Sequence, residues 1–272
     1  MPVEYAPRGL VATLTPQANT TVEPEFSILW PAGVAMINGR LMSPKATIEK
    51  RLVDYFDQLD DSLNQFANAP IDAIAIACTG ASYLAGVARE RETLRRLAAR
   101  TGVPAFTAAS AVVDALNALG ARRIGLVSPY PATLTAASVG YWQAQGFNVA
   151  SVAEAKTDAG QFHPIYALPA SGAMAALDTL TDSDLDAIVM LGTGMPTLQP
   201  ISERPRIGRA PVMSCMLCLA WRAVMAIDRE TPSAATLLDW IAGAAWRPRL
   251  AAHAWSPPAM PGGPVIAGRA SR

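Results

Sequence analysis

Asp72-Ala73-Ile74-Ala75-Ile76-Ala77-Cys78-Thr79-Gly80 reads as a short buried strand that ends on a cysteine and opens into a turn of small residues. The pattern returns without a gap as Asp186-Ala187-Ile188-Val189-Met190-Leu191-Gly192-Thr193-Gly194, 114 positions later (186 − 72). Both copies begin D-A-I; one closes on C-T-G and the other on G-T-G. The repeat predicts two similar α/β halves whose strand ends face one site. Only the first half brings a thiol to it.

Working outward, Gly9 to Thr15 (GLVATLT) is a β-rich run closed by Pro16, and Arg123 to Ser128 (RIGLVS) mirrors it ahead of Pro129. Pro104-Ala105-Phe106-Thr107 and Pro211-Val212-Met213-Ser214 form another matched pair, each leading into a helix (110–119 and 216–228). Phe147 to Val152 adds a strand. Helices are expected over Pro44–Ala67 with Ser43 as cap, over Ser82–Arg100, Thr133–Gln145 and Ser171–Leu180, and from Thr231 to Ala245. Asn19, Thr20 and Thr21 suit a helix start, with Glu23 and Glu25 in its first turn. Pro31 to Met42 reads as mixed, with Gly33 and Gly39 marking turns.

Strands alternating with helices imply an α/β fold with two pseudo-symmetric halves, each a mainly parallel four-stranded sheet flanked by helices. The expected boundaries are 9–120 and 121–230, with helix 231–245 on the first half. Residues 247–272, rich in Pro, Gly and Ala, are expected to be a tail or subunit arm. Ligands on such sheets bind beyond the carboxyl ends of the strands.

The 272 residues can bury a sizeable core, and 51% are apolar against 16% charged. Lys+Arg and Asp+Glu are equal at 22 each, and no basic stripe points to nucleic acid. Three widely placed cysteines make no disulfide framework and suit a reducing cytoplasm. No signal peptide and no membrane-spanning run is read. The basic residues Arg89, Arg91, Arg95, Arg96 and Arg100 read as a solvated helix face. The expected partners are a small-molecule substrate and further copies of the chain, with neither nucleic acid nor membrane.

Cys78 ends its strand beside the N-terminus of a helix. Free amides and the helix dipole there favour a thiolate, and the same amides hold a carboxylate or enolate oxygen. The bland alternative is a buried structural cysteine. Cys215 and Cys218 form a C-x-x-C pair, but Met216-Leu217 between them and an apolar face behind read as packing. His163 and His253 lie far apart and give no metal spacing, and His163 reads as a loop residue. Gly192-Thr193-Gly194 lacks the third glycine of a dinucleotide loop, and no P-loop is present. No cofactor and no metal is expected.

Four features, in order, carry a resemblance. They are Pro16-x-x-Asn19-Thr20-Thr21-x-Glu23, the cysteine after the second strand (Cys78), Ser128-Pro129-Tyr130, and Gly194-x-Pro196-Thr197-Leu198. Over most of residues 9–245 the chain resembles the maleate isomerase and arylmalonate decarboxylase branch of the aspartate/glutamate racemase superfamily. The resemblance implies a cofactor-independent enzyme with its site between two α/β halves. It implies that Cys78 is the catalytic cysteine, that Asn19 binds carboxylate, and that Tyr130 hydrogen-bonds to substrate. Thr79 and Thr193 match donors that stabilise an enediolate. Gly80, Gly192, Gly194 and Ser214 complete the expected substrate-binding set. Gly192 stands where both branches place a second cysteine, and Met216-Leu217 replaces polar residues.

Three functions stay open from these residues. Cys78 adds to a maleate-like cis-enedioate, which rotates and is released as the trans isomer; Asn19-Thr20-Thr21 with Cys78 leans this way. Alternatively a substituted malonate loses CO2 and Cys78 protonates the enediolate, for which one thiol suffices. A third reading is a non-catalytic binder of small acids.

Overall fold

Eight-residue β1 (Gly9–Pro16) is buried along nearly its whole length, which is why it sits inside a sheet rather than at its edge. After it come α1 (Val22–Leu29), β2 (Val34–Leu41), α2 (Ile48–Asp57), α3 (Leu59–Ser62), β3 (Ala73–Ile76), α4 (Thr79–Ala85), α5 (Val87–Thr101), β4 (Ala105–Thr107) and α6 (Ala108–Ala118). The second half runs β5 (Arg123–Ser128), α7 (Ala132–Ala144), β6 (Asn148–Glu154), α8 (Ala170–Leu177), β7 (Ala187–Met190), α9 (Leu198–Glu203), β8 (Arg206–Ile207), β9 (Ala210–Ser214) and α10 (Cys215–Ile227). α11 (Ala234–Ala242) and α12 (Arg247–His253) follow. This computed structural model describes residues 3–156 and 164–253.

The first sheet has four parallel strands in the order β2-β1-β3-β4. The second has the equivalent parallel order β6-β5-β7-β9, and the two-residue β8 adds an antiparallel fifth strand outside β9. The duplication has a physical basis in the repeated aspartate. The Asp72 carboxylate accepts the Leu10 amide at 2.8 Å, and the Asp186 carboxylate accepts the Arg122 and Arg123 amides at 3.0 and 2.8 Å. Each aspartate thereby pins the start of its central strand pair. At the other end Thr107 lies opposite Ile76 and Ser214 opposite Met190, and both hydroxyls cap the helix that follows. Those helices, α6 and α10, pack on each other across the pseudo-dyad, and α10 also lies against β3, β4 and α1. Arg222 of α10 bonds Asp114 of α6 at 2.7 Å and sits over the Phe106 ring.

Four expectations are corrected. The mixed stretch 31–42 contains strand β2. Its half-exposed residues and its Gly39 hid it, because an edge strand pairs on one side only and tolerates polar positions. The helix expected from Pro44 to Ala67 begins at Ile48, capped by Thr47, and breaks into α2, α3 and a 3-10 turn at Leu63–Phe66; Ser43 instead donates to Asp54 at 2.6 Å. The helix expected over 82–100 is two helices split by Gly86, whose φ of 78° other residues rarely adopt. Residues 247–253, expected in a tail, form α12, and Arg249 donates to the carbonyls of Ile28 and Leu29 at 2.6 and 3.3 Å. The rest of the expected tail lies outside the described residues. The α5 arginines pair with Asp57, Asp60 and Glu92 on the surface, as a solvated face does. Among the described residues no helix is long and apolar enough to cross a membrane.

Candidate active site

Cys78 stands one residue beyond the β3–Ala77 extension and immediately before α4, in extended conformation (φ −145°, ψ 96°). The Ala81 amide points toward its sulfur and favours the thiolate, as the sequence implies. Burial outweighs it: the side chain is 3% exposed, and desolvation pushes the thiol up to about 12. Desolvation thus works against the expected thiolate, while the local amide works for it.

The turn after β1 reaches across to the second half. Asn19 Oδ1 accepts the Thr21 and Val22 amides at 2.8 and 3.1 Å, so it caps α1 from outside. Its Nδ2 donates to Thr193 Oγ1 at 3.3 Å, and Thr193 donates onward to the Ala77 carbonyl at 2.8 Å. Thr21 Oγ1 donates to the Gly194 carbonyl at 2.8 Å. Arg40 braces the turn from behind through the Pro16 and Asn19 carbonyls and an ion pair with Glu23.

From the second half, Tyr130 donates to Thr79 Oγ1 at 3.3 Å. Gly192 has φ of +82°, and a Cβ there would lie 3.2 Å from the Tyr130 hydroxyl and 3.1 Å from Pro129 Cγ. The phenol thus occupies the space beside the thiol-free turn. Behind it lies the buried Cys215 sulfur, with the Thr79 hydroxyl and the Gly192 amide near enough to favour its thiolate. Burial nevertheless pushes the Cys215 thiol up to about 12. Cys218 is buried as well, and both thiols are free, consistent with packing rather than a disulfide.

Cys78, Thr79, Gly80, Asn19, Tyr130, Gly192, Thr193 and Gly194 all line one cavity of about 30 Å3. Ser214 does not: its hydroxyl accepts the Leu217 amide at 3.1 Å as the cap of α10, so this expected binding residue is corrected to a structural one. His163 lies outside the described residues. Sequence reasoning missed Arg51, Tyr55 and Tyr166, which line the same cavity. Arg51 and Tyr55 fall on the apolar stripe of α2 with Ile48 and Leu52, and a cation within such a stripe was the available signal. Tyr166 packs where a Gly194 Cβ would come within 2.5 Å of its ring, so only glycine fits there.

Two buried glutamates join the halves. Glu25 of α1 accepts the Thr197 and Leu198 amides at 2.6 and 3.3 Å, capping α9; its burial raises the carboxyl to about 7 against these bonds. Glu90 of α5 accepts hydroxyls from Thr107 and from Tyr141. The arrangement presents a thiol, amides, hydroxyls and one guanidinium to a small, partly open cavity. It suits addition to, or proton transfer at, a carbon next to a carboxylate.

Comparison with known proteins agrees with this geometry. The chain is 26% identical over 252 residues to a maleate isomerase of Pseudomonas putida, covering 84% of this chain and 96% of that protein. It superposes with a TM-score of 0.72 and 25% identity on a mutant maleate cis-trans isomerase of Nocardia farcinica holding a covalently bound succinylcysteine intermediate, covering 81% of this chain and 93% of that one. The crystal structure of an arylmalonate decarboxylase shares the fold, with a TM-score of 0.65 and 18% identity over 80% of this chain and 92% of that one. A model of the arylmalonate decarboxylase family matches residues 11–238, from within β1 into α11 and through both strand-end turns. The chain therefore belongs to the arylmalonate decarboxylase family of enzymes.

Proposed function

We propose that the protein is a cofactor-independent isomerase that interconverts a maleate-like cis-enedioate and its trans isomer through Cys78. The observation that carries this reading is the convergence of the Cys78 thiol with Asn19, Thr193 and the Thr79–Gly80 turn on one cavity. The sulfur forms a bond to one alkene carbon, and the thiol proton ends on the other as the π bond breaks. The adduct is a succinyl thioether whose central carbon–carbon bond is single and rotates. Reversal expels the sulfur with its proton, and the trans alkene remains. Net addition of S–H suits a thiol that burial keeps neutral. Asn19 Nδ2, the Tyr130 hydroxyl and the backbone amides of Thr79 and Thr193 hold carboxylate oxygens as neutral donors. Proton NMR of maleate incubated with the protein tests the reading. Fumarate signals are expected, and their absence at high enzyme concentration removes this substrate.

A second reading is favoured by the same neutral thiol and by the thiol-free Gly192 turn. A substituted malonate loses CO2, the bond pair enters an enediolate, and Cys78 passes its proton to carbon before recovering one from water. Carbon dioxide release from phenylmalonate distinguishes it. The three free thiols support a reducing cytoplasm as the site of action. A homo-oligomer is part of the same proposal, and light scattering of the purified chain tests it.

A further inference from the structure

The turn that carries Thr193 between β7 and α9 has little stiffness of its own, because a glycine stands on each side of the threonine. Three tethers reach it from residues 19–25 of the other half. Asn19 Nδ2 donates to Thr193 Oγ1 at 3.3 Å, and Thr21 Oγ1 donates to the Gly194 carbonyl at 2.8 Å. One helical turn beyond Thr21, Glu25 takes the far end. It accepts the Thr197 and Leu198 amides at 2.6 and 3.3 Å, and the Thr197 hydroxyl reaches its two oxygens at 3.3 and 3.2 Å. Thr193 is thereby presented to the Ala77 carbonyl, 2.8 Å from its hydroxyl and next to Cys78.

A glutamate is a costly choice for this task. Thr197, at the N-cap of α9, makes no cap bond with its own side chain. A local cap would satisfy the free amides of α9 without burying a charge. Instead a carboxylate from the other half enters the core, 5% exposed, and the groups that offset its burial are the Thr197 and Leu198 donors rather than a cation. Neighbouring charges are engaged elsewhere: Glu23 pairs with Arg40, and Arg249 of α12 donates to the Ile28 and Leu29 carbonyls. Burying a carboxylate without a cation is expensive, but its bonds to amides are roughly twice as strong as neutral ones. We propose that Glu25 is a positioning residue for the reaction: its carboxylate holds the 192–197 turn so that Thr193 stays locked between Asn19 and the Ala77 carbonyl beside the thiol. The inference rests on the reading of Cys78 and the Thr193 turn as the place of reaction.

Glu25→Gln, compared with wild type at pH 8, tests the role, because it keeps the shape and an acceptor for the Thr197 amide but removes the charge. Maleate turnover should fall roughly 5- to 30-fold, the difference between a charge-assisted and a neutral hydrogen bond. The urea midpoint should stay level or rise, since the variant no longer buries a charge. Backbone amide NMR of the full chain should show shifts that extend from Thr197 through Gly194 to Thr193. Thr197→Val removes the hydroxyl bonds to Glu25 and leaves the amide ones. It should move the same amides, and it covers the case in which Glu25→Gln fails to fold. Turnover and urea midpoint falling together, or amide changes confined to Thr197 and Leu198, reduce Glu25 to a cap of α9 and overturn the inference. Turnover unchanged in Glu25→Gln overturns it as well and leaves the isomerase reading standing. Shifted Thr193 and Gly194 amides with no turnover of maleate or phenylmalonate by wild type keep the link from Glu25 to the turn and overturn the catalytic reading instead.

Discussion

Asn19 and Thr193, from opposite halves of the chain, share a hydrogen bond of 3.3 Å, and the Thr193 hydroxyl donates in turn to the Ala77 carbonyl one residue before the thiol. One hydroxyl thus ties the α1 cap, the second-half turn and the β3 terminus together. Thr193→Val keeps the shape but leaves the buried Ala77 carbonyl and the Asn19 amide without this partner. We expect a loss of about 1–3 kcal/mol in urea unfolding and a fall in maleate turnover of at least about tenfold.

Cys78 should react slowly with alkylating agents in the ligand-free protein. With the thiol near 12, the thiolate fraction at pH 7.5 is lower than for an ordinary cysteine by roughly three powers of ten. Mass spectrometric mapping of iodoacetamide adducts should show labelling that still rises above pH 10. A plateau near pH 8 would contradict the desolvated thiol.

Glu25 makes stability depend on pH in a defined direction. Its carboxyl is raised in the folded state from 4.5 to about 7, so the folded chain holds this proton more tightly than the unfolded one. That contribution is complete below about pH 4.5 and is lost as pH rises through about 7, a swing of about 3 kcal/mol at most. Glu25→Gln should flatten the change in urea midpoint between pH 5 and pH 8, since Gln keeps an acceptor for the Thr197 amide.

Gly192→Ala meets three obstacles, a left-handed backbone, Pro129 Cγ at 3.1 Å and the Tyr130 hydroxyl at 3.2 Å from the new carbon. A destabilisation of about 1–3 kcal/mol is expected. Adding Tyr130→Phe removes the crowding oxygen but not the backbone strain. The pair should therefore be non-additive by about 0.5–1 kcal/mol in a double-mutant cycle.

The duplicated D-A-I strands were legible because Asp72 and Asp186 do the same work at equivalent places in two sheets, so the repeat in sequence is a repeat in hydrogen bonding. Strand β2 was not, since its neighbour on one side is solvent and its Asn38, Gly39 and Arg40 look like a turn. The strand-end residues of the site were legible from topology alone, with Ser214 the exception because capping α10 takes its hydroxyl. Arg51 and Tyr55 were obscured for another reason. Helical spacing marks them as one face with Ile48 and Leu52, but spacing does not say whether that face meets a sheet or a cavity. For Cys78 the local amide that favours the thiolate could be read from the sequence, and the surrounding wall of side chains that opposes it could not.

The space beside the Cys78 thiol is narrow, about 30 Å3, and it is partly open to solvent. A diacid that reaches the thiol therefore displaces lining side chains as it enters and again as it leaves. Turnover should then respond to solvent viscosity as well as to the reactivity of the alkene.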